Sequence, residues 1–171
     1  MLEKYKNKKS IVIYFSRADE NYIVGNIEKG NTEVIAEYIK DITGADIFKV
    51  DPLIPYSIDY NICINEAKQR QIRNEAPIIK PIPDLVNYDV IYIGSPIYWG
   101  GMPEEMFTAL KDVDFTEKVI RPFTTHEGSG LSNVPSQLKG ICKGAEILEG
   151  IAIQGSKVKM AREEIEEWIN S

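Results

Sequence analysis

"YDVIYIGSPIYWGGMP", residues 88–103, runs from a continuous apolar stretch straight into proline, tyrosine, tryptophan and paired glycines. The first half reads as a strand buried on both faces, because β-branched and aromatic residues follow one another without polar alternation. The second half puts two large rings, Tyr98 and Trp99, where a loop should be exposed. Gly100 and Gly101 permit backbone geometry closed to other residues, and Pro103 suits the first turn of a helix. The rings either cap a minicore under that helix or form a platform for something flat.

Outward from this stretch, strand and helix alternate five times. "SIVIYFS" (10–16) is another continuous apolar strand, and "NTEVIAEYIKDITG" (31–44) is a helix with Val34, Ile35, Tyr38, Ile39 and Ile42 on one stripe and Gly44 as its stop. "ADIFKV" (45–50) reads as a strand ending before Pro52, and residues 58–76 as a polar helix with Tyr60, Ile64 and Ala67 facing inward. After the quoted strand comes a helix over 103–113 with Met106, Phe107 and Leu110 on one face. "KVIRPFTT" (118–125) is a fourth strand, residues 133–142 a short helix, and "AEILEGIAI" (145–153) a fifth strand. A closing helix carries Val158, Ala161, Ile165, Trp168 and Ile169 at helical spacing. Such alternation predicts an α/β fold with a five-stranded parallel sheet and helices on both faces, in a single domain over 1–171. Ligands of these sheets bind outside the carboxyl ends of the strands. That rule selects residues 16–32, 94–102 and 124–131.

Composition narrows the function classes. The 171 residues suffice for one well-buried core. A net charge of −6 argues against a nucleic-acid partner and for basic partners. Cys63 and Cys142 lack metal or redox spacing and read as small buried hydrophobes. No apolar run approaches the roughly 20 residues a bilayer requires, and no signal peptide fits, so a cytoplasmic protein without a membrane partner is expected.

Each selected loop has its own chemistry. In the first, Ser16, Asn31 and Thr32 offer side-chain donors and Gly30 lets the backbone approach a ligand, where the helix N-terminus makes an anion nest. Taken alone, Asn31 and Thr32 read more readily as an ordinary capped helix. The second loop holds the aromatic pair. The third, "TTHEGSGL" (124–131), is rich in glycine and hydroxyls and contains His126, the one histidine of the chain. Its "EGSGL" is not the G-x-S-x-G elbow of a serine hydrolase. An anion nest, an aromatic pair and a glycine loop at one sheet edge suit a ligand with a phosphate at one end and a flat heteroaromatic at the other. FMN has that shape.

These segments resemble the flavodoxin-like family, and its short flavodoxins in particular, in order over nearly the whole chain. "IVIYFSR…GNTEVIAEYI" is similar to the family's first strand, phosphate loop and helix. "YDVIYIGSPIYWGGMPEEM" matches its second flavin-contacting segment, and "FTTHEGSG" its third. The resemblance implies sheet order 2-1-3-4-5, an FMN cofactor and a role in passing electrons. It implies that Ser16, Asn31 and Thr32 hold the phosphate, flanked by Ala18 and Gly30. Pro96, Ile97, Tyr98, Trp99 and Gly100 would line one side of the isoalloxazine. Thr125, His126, Glu127, Gly128 and Gly130 would approach its other edge. One departure stands out: "DENYIVGNIEK" (19–29) separates Ala18 from Gly30, where the family's phosphate loop is compact, and Ala18 replaces a hydroxyl. These residues are expected to form a surface loop in which Tyr22 and Ile23 pack back on the protein.

Within this reading the chain is a one-electron shuttle serving redox partner proteins, or an FMN-dependent NAD(P)H/quinone-type oxidoreductase with a small electron acceptor. Short length and acidic charge favour the shuttle, and no catalytic side chain is expected. A phospho-accepting signalling receiver shares the fold, but strand three ends in "GSPIYW" without its acceptor Asp. No G-x-G-x-x-G follows strand one, which argues against a dinucleotide-binding domain.

Overall fold

A computed structural model describes Tyr5 and residues 7–171. Its centre is a parallel sheet in which β1 (Ser10–Tyr14) lies between β4 (Asp46–Lys49) and β5 (Val90–Pro96), and β6 (Val119–His126) lies beyond β5. A fifth strand position flanks β6, so the order of the five positions is 2-1-3-4-5, as the resemblance implies. Side chains alternate across the sheet and build two cores. Ile11, Ile13, Ile91 and Ile93 enter one, with Met106 and Leu110 of α3 (Glu104–Leu110) and Leu138 of α4 (Val134–Ile141). Val12, Tyr14 and Tyr92 enter the other, with Ile35 and Ile39 of α1 (Asn31–Thr43) and Ile165 and Trp168 of α5 (Arg162–Asn170). Both faces are therefore covered, which is why the strands lack polar alternation.

The fifth strand is broken where a continuous one was expected. β7 (Glu146–Ile147) pairs with Val119 and Ile120, and β8 (Ile151–Gln154) with Phe123 to His126. Ile147 faces Ile120 and Ile151 faces Phe123, so four steps on one strand meet three on the other. Pro122 explains the bulge: it has no N–H to continue the ladder. Gly150 lies against it, where a Cβ would stand 2.9 Å from the Pro122 carbonyl.

The closing helix is likewise divided. A 3₁₀ segment, Gly155–Met160, precedes α5, while Val158, Ala161, Ile165, Trp168 and Ile169 are all buried as expected. Arg121 is buried beneath α5, donating to the Trp168 and Ile169 carbonyls at 2.7 and 2.9 Å, with its guanidinium over the Trp168 ring. A cation at a helix C-terminus satisfies carbonyls that have no helical partner.

Residues 19–29 are an antiparallel hairpin, β2 (Asp19–Asn21) and β3 (Gly25–Ile27), not an irregular loop. Its tip residues Tyr22 and Ile23 remain exposed, but Tyr22 stacks on Tyr60 with ring centroids 5.9 Å apart. Tyr60 opens α2 (Tyr60–Ile72), whose buried positions are Cys63 and Ala67, while Tyr60 and Ile64 are half-buried. No helix of the described residues is long and apolar enough to cross a membrane.

Candidate functional site

The loops after β1, β5 and β6 meet at the carboxyl edge of the sheet around a cleft of about 330 Å³. Its floor is the start of α1. Gly30 occupies the N-cap position with extended backbone and offers no side-chain cap. Ser16 supplies one from the neighbouring strand end: its Oγ accepts from the Glu33 N–H at 3.1 Å. The first two amides of the helix, on Asn31 and Thr32, have no acceptor within the helix and make an anion-binding end. Thr32 Oγ1 lies 2.7 Å from Thr125 Oγ1, a buried contact that ties the first loop to the third. Gly30 is required by proximity, because a Cβ there would lie 2.1 Å from Ser16 Oγ and 2.7 Å from the Arg17 carbonyl.

The second loop is a tight reversal. Tyr98 N–H donates to the Gly101 carbonyl at 2.8 Å, and Trp99 and Gly100 have φ of 50° and 87°. Two successive left-handed residues make a type I′ turn, easy for glycine and strained for tryptophan. This turn separates the aromatic pair. Tyr98 packs edge-on against Phe15 and Tyr56, with centroids 5.8 and 5.6 Å away, and burial pushes its phenol well above the ordinary pKa. Trp99 stays 48% exposed, with its indole N–H on the Ile64 carbonyl at 2.8 Å and Lys68 over its ring. Of the two readings of the pair, the core claims most of Tyr98 and the cleft wall claims Trp99.

In the third loop, His126 Nδ1 accepts from the Gly128 N–H at 2.8 Å. Thr124 Oγ1 donates to the Gly130 carbonyl at 2.9 Å. Glu127 accepts from the Ser156 N–H at 2.7 Å and from Gln154 Nε2 at 3.0 Å, so its carboxylate anchors the end of β8.

Ten expected residues line the cleft: Ser16, Asn31, Thr32, Pro96, Ile97, Tyr98, Trp99, Thr125, His126 and Glu127. Ala18, Gly30, Gly100, Gly128 and Gly130 are not among the residues that line it. Gly100 braces the third loop, its carbonyl accepting from Ser132 Oγ and the Asn133 N–H. Sequence reasoning missed one wall. Arg17, Asn21 and Tyr22 from the hairpin side face Tyr60, Cys63, Ile64 and Ala67 of α2. The inward stripe of α2 was legible; that it turns toward a cleft as well as a core was not.

A sequence model of the family described as flavodoxin matches residues 9–171. The chain belongs to the flavodoxin family. Its fold is shared by a protein described as a flavoprotein from Bacteroides uniformis, at 24% identity, with 96% of this chain and 99% of that one covered and a TM-score of 0.76. A second such protein, from Bacteroides eggerthii, is 25% identical over 93% and 98% of the two chains, with a TM-score of 0.71. A flavoprotein from Lactobacillus acidophilus, solved in complex with FMN, is 24% identical over 90% and 97%, with a TM-score of 0.63. Among curated proteins, none matches this chain by sequence.

Proposed function

We propose that this chain binds FMN in the cleft and works as an electron carrier between proteins. One observation carries the reading: a helix N-terminus with buried hydroxyls and an exposed tryptophan lie on the same cleft at the carboxyl edge of the sheet. The residues fit the group. The N–H groups of Asn31 and Thr32 and the hydroxyls of Ser16 and Thr32 suit a terminal monophosphate. Trp99 and the Pro96–Ile97 segment offer flat apolar surface for a heteroaromatic ring. No dinucleotide fingerprint is available for a second nucleotide, which favours FMN over FAD. When bound, FMN supplies the redox chemistry; the protein binds, orients and shields it.

The shuttle reading draws support from the inventory of the cleft. Its carboxylate is held by Ser156 and Gln154, and its histidine accepts from its own loop through Nδ1, so the two do not form a poised acid–base pair. A net charge of −6 favours basic redox partners and a docking rate that falls with salt.

The test starts with the purified protein reconstituted with FMN, its cofactor released by heat and identified by chromatography. The reduced protein is then mixed with cytochrome c, a basic one-electron acceptor, and separately with a benzoquinone. Fast, salt-sensitive transfer to cytochrome c, unchanged in His126→Ala, is the expected result. Bound FAD, or no flavin uptake, overturns the cofactor assignment. Saturable quinone turnover that collapses in His126→Ala overturns the shuttle and gives this site to an oxidoreductase.

A further inference from the structure

Arg17 follows Ser16 directly and faces the cleft, and the functional reading leaves it without a role. Its guanidinium spans the gap between the hairpin and the segment leading into α2. Nε and one terminal nitrogen donate to the Ser57 carbonyl at 3.2 and 2.6 Å. That same nitrogen reaches the Ile58 carbonyl at 2.9 Å, and the other reaches the Glu20 carbonyl at 2.5 Å. Glu20 answers in the opposite direction, its carboxylate accepting from the Tyr60 N–H at 2.9 Å. Asn21 closes the hairpin base on the Arg17 and Ala18 carbonyls. Hairpin and α2 are thus fastened by one planar fork that a lysine could not reproduce. α2 in turn holds Trp99, through the Ile64 carbonyl and through Gln71, which donates to the Trp99 carbonyl.

The charge of this fork is as telling as its geometry. Every hydrogen bond of Arg17 goes to a backbone carbonyl, and among the described residues no carboxylate lies within ion-pair distance of it. Lys29 of the first loop and Lys49 of β4 are both paired with glutamates. Arg17 is the one lysine or arginine among the residues that line the cleft. Tyr60, Cys63 and Tyr98, on the aromatic side of the same cleft, lie within reach of its charge.

We propose that Arg17 is a positioning and tuning residue of the cofactor site: its fork locks the hairpin and α2 into one wall, and its unneutralised charge acts on the ring end of the cleft. This rests on the flavin reading for its second half only. A cation there favours whichever form of the cofactor carries more negative charge, so it raises the midpoint potential.

Two variants separate the halves. Arg17→Lys keeps the charge and loses the fork; Arg17→Gln keeps a planar donor and loses the charge. Amide hydrogen exchange of the apoproteins reads the lock without any flavin. Protection of residues 19–27 and 58–62 should fall about tenfold or more in Arg17→Lys. Midpoint potentials of the FMN-loaded proteins, measured by dye equilibration, read the charge. Arg17→Gln should move to a lower potential while Arg17→Lys stays near the wild type. Unchanged exchange in Arg17→Lys overturns the lock, and equal potentials in all three proteins overturn the tuning role. Should Arg17→Gln fail to fold, Glu20→Ala removes the acceptor for the Tyr60 N–H at full Arg17 charge. Its hairpin exchange must then rise with no drop in potential, or the proposal fails. Wild-type protein that takes up no FMN sinks the flavin reading and leaves the exchange result to judge the lock.

Discussion

Gly30→Ala puts a single methyl group into the most crowded point of the cleft floor. Gly30 has φ −62° and ψ 149°, a conformation open to alanine, so no backbone strain accompanies the change. The cost is packing alone. The new Cβ would stand 2.1 Å from Ser16 Oγ, 2.7 Å from the Arg17 carbonyl oxygen and 2.9 Å from its carbon. Ser16 can rotate away, but the Glu33 N–H then loses its cap, worth about 0.5–2 kcal/mol. The Arg17 carbonyl is backbone and can only shift, and overpacking of this kind costs about 1–3 kcal/mol. Together these give about 1.5–5 kcal/mol, which for a chain of this size lowers Tm by about 3–20 °C. Thermal unfolding of the apoprotein by circular dichroism measures it. FMN titration by fluorescence quenching should show binding weakened about tenfold or more, because Ser16 and the first turn of α1 move together. A variant that melts within about 2 °C of wild type and binds FMN equally well would refute the assignment of this turn as the phosphate floor.

Trp99→Ala should weaken FMN binding roughly tenfold or more, the 1–3 kcal/mol of one aromatic stack, and raise residual flavin fluorescence; no change in either would return Trp99 to a purely structural role on α2. Glu105 is fully buried, paired with Arg70 and hydrogen-bonded by the Tyr56 hydroxyl at 3.0 Å. Glu105→Ala should therefore cost about 3–5 kcal/mol in urea unfolding, while replacing both partners by leucine costs much less. Alkaline pH should destabilise the fold: burial raises the Tyr14, Tyr56 and Tyr92 phenols and pushes the Cys142 thiol up to about 12. A raised folded pKa means the unfolded chain releases the proton first, so stability held below pH 9 is lost as pH rises above it. Each group costs about 1.4 kcal/mol per pH unit beyond its unfolded pKa. Urea midpoints that stay level from pH 8 to 10.5 would contradict this.

The sequence alone determined the layered architecture, because that information is local. Short apolar runs rich in β-branched and aromatic residues, such as 10–16 and 88–93, read as strands buried on both faces, and the stripe of α1 with Gly44 behind it as a helix with one buried side. It also located most of the cleft, since helix starts, paired glycines and hydroxyls mark the carboxyl ends of strands in any parallel sheet. What it could not show depends on partners distant in the chain. The break between β7 and β8 is dictated by Pro122 on the neighbouring strand, 25 or more positions before the residues it displaces. The division of labour between Tyr98 and Trp99 follows from the I′ turn, which aims one ring at Phe15 and Tyr56 and the other at α2. The hairpin reads as a polar insertion until Arg17 and Glu20 are seen to bind backbone groups 40 residues away. Backbone carbonyls and amides carry no residue identity, so contacts to them leave no pattern in the sequence, and only the folded chain brings them within reach.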